Sequence, residues 1–288
     1  MHGMKSNCSV KEVSTGNIPA KEAIVKCFTL FRPFFSSFLL FLLFTAPVHA
    51  QENTSSSDGL DHHISIGAAG IVMPEFEGAD SYKVMPFPLI EYSNKYFFIS
   101  TLKGAGVNII STPTITAGPV LTYRFGRKEN ASDLLKGLGD VDGGVEAGAF
   151  FNWQFHQRLG AEVTALHDLG DAKGFTADVS LTYNQPLITN LSFALQASAQ
   201  FADSEYNKQF FGITGKQSQR SGYDRYSPDG GIKHVSIKPA LNYTFFEYYN
   251  LGVFYEYKRL TGPAADSPLV KKGSADQSTT GISLSWSY

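Results

Sequence analysis

Segments of about ten residues in which every second side chain is apolar recur along most of this chain, and they limit the fold more than any other feature. In residues 233–245, Val235, Ile237, Pro239, Leu241, Tyr243 and Phe245 alternate with His234, Ser236, Lys238, Ala240, Asn242 and Thr244. Residues 190–201 set Leu191, Phe193, Leu195, Ala197, Ala199 and Phe201 against Asn190, Ser192, Gln196, Ser198 and Gln200. In residues 143–155, Val145, Ala147, Ala149, Phe151, Trp153 and Phe155 oppose Glu146, Asn152 and Gln154, and similar patterns return near 115–125, 157–167, 174–184 and 248–258. Successive side chains of a strand point to opposite faces, so each segment has one apolar and one polar face. On a helix the same residues would scatter around the axis. A strand crossing lipid at a tilt needs about ten such residues, and aromatics near segment ends (Tyr123, Phe125, Tyr183, Trp286) suit the two membrane interfaces. The reading is all-β: a transmembrane antiparallel up-and-down β-barrel over residues 61–288.

The two ends of the chain agree with this. Ile282, Leu284, Trp286 and Tyr288 fall on one side of the last segment, with Ser283, Ser285 and Ser287 on the other. With Gly281, Leu284, Trp286 and Tyr288 this terminus resembles the signal read by the barrel-assembly machinery, although phenylalanine is the commoner last residue. At the other end Lys5, Lys11, Lys21, Lys26 and Arg32 precede a largely apolar run at 34–44, and Val48 and Ala50 place small residues before Gln51. Residues 1–50 therefore read as a cleaved secretory signal peptide, its run too short to span a bilayer, and 51–60 as a flexible lead-in. Both cysteines, Cys8 and Cys27, lie in the part removed, so neither disulfide nor thiolate chemistry is expected of the mature chain.

Cleavage takes away five Lys/Arg and two Asp/Glu, leaving 19 basic and 24 acidic residues. A mildly acidic chain without a basic block argues against nucleic-acid binding. The expected surroundings are outer-membrane lipid and lipopolysaccharide.

Connection lengths supply a strand count. Tight links fall near Ser93-Asn94, 111–114, His156, 185–189 and Phe246-Glu247, and longer ones at 74–81, 127–141, 168–173, 202–232 and 260–279. If 95–102 and 104–110 are separate short strands, the count is twelve and the tight links share the periplasmic side with both termini; ten strands is the fallback. Pro119 and Pro239 interrupt strand patterns and are expected near a rim or bulge.

Arg124, Glu146, Glu162, Asp178, Lys238, Glu256 and Lys258 lie on polar faces and so point into the lumen. Two readings stand: a mutually neutralising network that fills the interior, or the lining of a selective channel. No catalytic site is expected. Of His62, His63, His156, His167 and His234, none joins a nucleophile and an acid in a recognisable motif. No metal or cofactor site is expected either: the His62-His63 pair offers no third ligand, and Asp140 and Asp142 lack EF-hand spacing. The 202–232 segment mixes Tyr206, Phe210, Phe211, Tyr223 and Tyr226 with Lys208, Lys216, Arg220 and Arg225, a composition that suits a contact surface or an inward-folded plug equally.

Two stretches carry a family resemblance. Pro74-Glu75-Phe76-Glu77-Gly78-Ala79-Asp80-Ser81-Tyr82-Lys83, followed by Pro86-Phe87-Pro88-Leu89-Ile90-Glu91-Tyr92, resembles the opening of the MltA-interacting protein (MipA/OmpV-like) family. Arg259-Leu260-Thr261-Gly262 through Ala265-Asp266-Ser267-Pro268-Leu269-Val270 is similar to that family's segment before the last strand. The resemblance implies a non-catalytic outer-membrane scaffold linking a murein hydrolase, a lytic transglycosylase, to a penicillin-binding murein synthase. A narrow porin-like diffusion channel for small solutes is the alternative. It carries no partner-binding residues over to this chain.

Overall fold

A computed structural model describes residues 62–170 and 174–288. The expected signal peptide and lead-in lie outside them. Thirteen strands form one antiparallel sheet: β1 (His63–Pro74), β2 (Tyr82–Ser93), β3 (Phe97–Ser100), β4 (Gly104–Val107), β5 (Ile110–Ser111), β6 (Ile115–Arg124), β7 (Gly144–His156), β8 (Leu159–Asp168), β9 (Phe175–Ile188), β10 (Leu191–Ala202), β11 (Gly231–Phe245), β12 (Tyr249–Leu260) and β13 (Asp276–Ser287). β4 and β5 both pair with β6 and occupy one place in the wall, so the barrel has twelve staves. The 95–110 stretch does make two short strands. The final strand begins at Asp276, a few residues earlier than the sequence pattern suggests.

Closure joins the first strand to the last. Ser65 pairs with Ser287 and Val72 with Thr280, and the Ile64 and Tyr288 backbones exchange bonds of 2.9 and 2.8 Å. Ile282, Leu284, Trp286 and Tyr288 face outward, as their alternation requires. In hydrocarbon every backbone N–H and C=O needs a protein partner, which is why the cylinder must close.

The two prolines behave differently. Pro119 sits where Gly106 pairs with Val120 and Ile110 with Ala117, so three residues of the β4–β5 stave oppose two of β6: a bulge, as expected. Pro239 corrects the expectation. It lies mid-strand at neither rim nor bulge; the β11–β12 ladder skips Lys238 and Pro239 and resumes at Ala240–Phe254 in the same register. One missing N–H is absorbed there without a shift.

The β3–β4 hairpin turns at residues 101–103. Gly104 has φ +84°, and a Cβ there would lie 2.0 Å from the Leu121 carbonyl oxygen. Backbone on backbone leaves no room to relax. Gly104→Ala is expected to cost about 1–3 kcal/mol and to detach the hairpin from β6. The check is the temperature at which the folded barrel loses its anomalous migration on denaturing gels.

Candidate functional site

The chemistry of this barrel gathers under the mouth that carries the long loops, which in outer-membrane barrels is the extracellular one. Loops 75–81, 125–143, 203–230 and 261–275 fold together into a cap with cores like those of a small soluble protein. Val141, Ala202, Tyr206, Phe210, Phe211, Leu260, Ala264 and Val270 form one buried cluster. Phe76, Ala79, Leu135, Leu138, Ile213, Tyr223 and Leu269 form a second.

Local sequence builds each piece. Asp203 caps α1 (Ser204–Phe211), its carboxylate accepting from the Tyr206 N–H at 2.8 Å. Thr214 and Gln217 make a capping box for α2 (Gly215–Ser221). One side of α1 carries Tyr206 and Phe210, and the neighbouring row carries the buried Asn207 and Phe211. The Asn207 amide donates to the Asp229 carbonyl at 2.8 Å, tying the beginning of the 203–230 loop to its end. Proline opens both α3 (Gly262–Ala265) and α4 (Pro268–Lys272), where its fixed φ suits the first turn.

The two stretches that carry the family resemblance meet in this cap. Gly78, at φ +107°, leaves its missing Cβ position 2.8 Å from a Val270 methyl. Gln277 accepts from the Gly78 N–H at 3.1 Å and donates to the Ala79 carbonyl at 3.0 Å. Ser267, wholly buried, donates to the Phe211 carbonyl at 2.7 Å. Tyr223 donates to the Leu134 carbonyl at 3.0 Å and Tyr226 to that of Pro263 at 2.8 Å. Arg127 is buried and donates to the Phe210 carbonyl at 2.8 Å; burial pushes its guanidinium down to about 10.

The underside of the cap meets lumen charges. The Tyr206 and Phe210 rings stack at 4.7 Å. The Arg124 guanidinium lies 5.0 Å from the Phe210 centroid, 3.2 Å from Glu146, and in close contact with Asp168. Lys233 sits 4.8 Å over the Tyr206 ring and bonds Glu77 at 3.2 Å, with the His234 ring 3.8 Å from the same carboxylate. Burial alone would raise the Glu77 carboxyl, but Lys233, Lys258 and His234 hold it down at about 2.

The lumen residues expected from sequence separate into three groups. Arg124 and Glu146 do meet, at the cap. Glu162 pairs with Lys103 at 3.4 Å, and with Asp178 it lines a cavity that runs up from the periplasmic rim past the β3–β4 hairpin. Lys238, Glu256 and Lys258 make no ion pair among the described residues. A single network of seven is therefore replaced by a cap-side cluster that recruits Glu77, Asp168 and Lys233. Lys233 escapes sequence reading for a clear reason. Alternation sends it outward beside Val235, but Gln200 pairs with His234 and Phe201 with Ile232, so Lys233 is the extra residue of a bulge. Lys233 and His234 both turn inward and are buried. His62 bonds Tyr92 at 2.7 Å at the opposite, periplasmic rim. Among the described residues no group of three or more His, Cys, Asp or Glu is placed to hold a metal.

A family model described as MltA-interacting protein MipA matches residues 66–288. Among curated relatives, the chain is 24% identical to the putative outer membrane protein YiaT of Escherichia coli K12 over 250 residues, covering 84% of this chain and 95% of that one. It is 26% identical to the MltA-interacting protein of the same strain over 239 residues, covering 79% and 93%. Solved structures to which the chain is similar include an outer-membrane channel from Pseudomonas putida F1, at TM-score 0.42 and 11% identity over 83% of this chain and all of that one. The NanC porin matches at TM-score 0.41 and 11% identity, over 77% and 98%.

Two outcomes follow from the cap. A Cβ on Gly230 would lie 3.3 Å from the Asp203 Cα, so residues 204–229 can be replaced by a short glycine link without straining β10 or β11. The intact barrel is expected to be silent in a planar bilayer and the shortened one to conduct. Acid should act in the same direction. The Glu77 carboxyl is depressed from 4.5 to about 2, so the stability it lends is complete above pH 4.5 and is lost as pH falls toward 2. Conducting events in the intact barrel should appear over that window, and Glu77→Gln should show them at neutral pH.

Proposed function

The chain belongs to the MltA-interacting protein (MipA) family and is an outer-membrane β-barrel, and from that premise we propose that it is a non-catalytic anchor which presents its periplasmic rim to a murein-remodelling enzyme. The name of the Escherichia coli relative supplies the class of partner. A covered extracellular mouth supports a role for the barrel's surfaces over one as an open pore.

The observation that carries the reading is the β11–β12 turn. Phe246 and Glu247 have φ +49° and +66°. Three residues, Phe246–Tyr248, link the paired Phe245 and Tyr249, and the first two hold the left-handed conformation that Asn and Gly normally supply, because a Cβ there crowds the backbone carbonyl. Each of the two residues costs about 1–3 kcal/mol there. What the strain presents is Phe246, 80% exposed at the tip, with Phe245 edge-on at 5.5 Å. Tyr248 and Tyr288 stack at 6.4 Å beside them. Strain that holds an exposed aromatic outward is what a contact site requires, and aromatics are enriched in the anchors of interfaces. The remaining periplasmic turns are short, so this rim offers far less than the roughly 1,200–2,000 Å² of a stable complex. The association is therefore weak or transient.

The test replaces Phe246-Glu247 by Asn-Gly. Relief of strain should leave the barrel as stable or more stable, while chemical crosslinking to a lytic transglycosylase falls sharply. Undiminished crosslinking of the variant would remove the rim from the interface.

A further inference from the structure

The wall of this barrel has a gap at membrane depth. β2 pairs with β1 along its whole length, Tyr82 to Ser93, but on its other side it pairs with β3 only from Glu91 to Ser93. Across the hairpin, β4 reaches β6 at Ala105–Leu121 and Gly106–Val120, with Gly104 packed on the Leu121–Thr122 backbone. The hairpin thus stops at the level of Ile90 on one side and Thr122 on the other, where Thr101 bonds the Ile90 backbone. At that sill β2 and β6 are three strand spacings apart, about 14 Å. Above it no strand among the described residues pairs with residues 82–89 from that side. Over the top, Phe76 and Ala79 from the loop after β1 join Leu135 and Leu138 from the loop after β6 in one buried cluster. The result is a window in the wall. Its height on β2 matches β1 residues 66–72, whose outward side chains belong to the lipid-facing belt.

The sequence of β2 is adapted to this edge. Ile90 directs its N–H and C=O toward the hairpin, so Pro88 and Pro86, at the same parity, direct their backbone to the window. Both lack an N–H, which removes two donors that hydrocarbon would leave unsatisfied and blocks pairing by a further strand. β2 is also apolar on both faces. Val84 and Ile90 are exposed on the outside, and Met85, Phe87 and Leu89 line the inside. Most lumen faces of this barrel are polar; here an apolar surface passes from the belt through the window to the interior.

A cavity of about 570 Å³ runs from Ser93, Asn94 and Asn108 at the periplasmic rim, past Leu102 and Lys103 at the hairpin tip, to Thr122, Leu166 and Asp178 nearer the cap. That is within the roughly 300–1,000 Å³ of small-molecule sites. Phe98, Val120, Phe150 and Leu166 give it an apolar wall, with the Phe98 and Phe150 rings edge-to-face at 5.3 Å. Glu91, Glu162 and Asp178 line it against Lys103, which Glu162 already engages. The remaining balance is negative.

We propose that this cavity is a binding site for a single-chain amphiphile with a cationic head, entered sideways from the membrane through the β2–β6 window and open below to the periplasm. Lipid is the solvent at the window, so what enters there must be apolar at one end. Among the described residues Glu91 and Asp178 form no ion pair, and three carboxylates in the lining against one lysine favour a positive head over a negative one. The site is independent of the Phe246 rim, and either reading can fail alone.

The experiment uses the full barrel in phosphatidylcholine vesicles with dodecylamine carrying a photoreactive diazirine at its chain end, and the matching dodecanoic acid probe. Adducts are mapped by mass spectrometry. The amine should label Phe98, Val120, Phe150 or Leu166, several-fold more than the acid does. Glu91→Gln with Asp178→Asn, in barrels that keep their heat-modifiable gel shift, should abolish that preference. Labelling confined to belt residues such as Leu251, Val253 and Leu284 would overturn the proposal. So would disulfide-linked pairs of barrels from Pro88→Cys, which would put a second copy of the chain over the window.

Discussion

Everything in this protein depends on satisfying backbone hydrogen bonds where no water can help. A lone unpaired N–H or C=O in hydrocarbon costs several kcal/mol, so a β-sheet in a bilayer must close on itself. Closure is made by the β1–β13 ladder, with Ile64 and Tyr288 bonded at its periplasmic end. Where closure is incomplete, beside the upper half of β2, the chain places Pro86 and Pro88 and so has fewer donors to satisfy. The same constraint that demands the cylinder therefore also explains the two prolines on its open edge.

Outside the hydrocarbon the rules change. The cap folds by burying Phe211, Leu135, Leu269 and their neighbours as a water-soluble core would, at about 25 cal/mol per Å² of apolar surface removed from water. Its capped helices, prolines and left-handed glycines belong to that regime. The interior beneath it is a seam between the two. Arg124 pairs with Glu146 and Asp168, and Lys233 with Glu77, while the two cations lie against the Phe210 and Tyr206 rings, so these five charges meet partners where polar lumen and apolar cap join.

The staves were legible because a bilayer imposes a strict period of two: a residue on the wrong face costs too much for exceptions to be common. The cap was less legible. Asp203 ahead of Tyr206 and Thr214 ahead of Gln217 are readable helix starts, but the first sits directly after a long dyad pattern and the second in a polar stretch with no apolar periodicity. Plug and contact surface differ only in which way the loop folds, and composition is the same for both. Lys233 and the open edge above the β3–β4 hairpin went unread for a shared reason. A bulge and a short stave alter pairing on the neighbouring strand, and nothing in the local pattern records the neighbour.

By itself the sequence determined the class of fold, the side of each stave that meets lipid, and the aromatic closing strand, because these follow from residue parity and the solvent on either face. Only the tertiary structure decided that the mouth is covered and that Glu77 meets Lys233 across 156 residues of chain. It alone decided that the wall is incomplete beside Pro86 and Pro88. Those outcomes rest on which loops touch and where each ladder stops, and long-range contact of that kind is set by packing, not by any period in the chain.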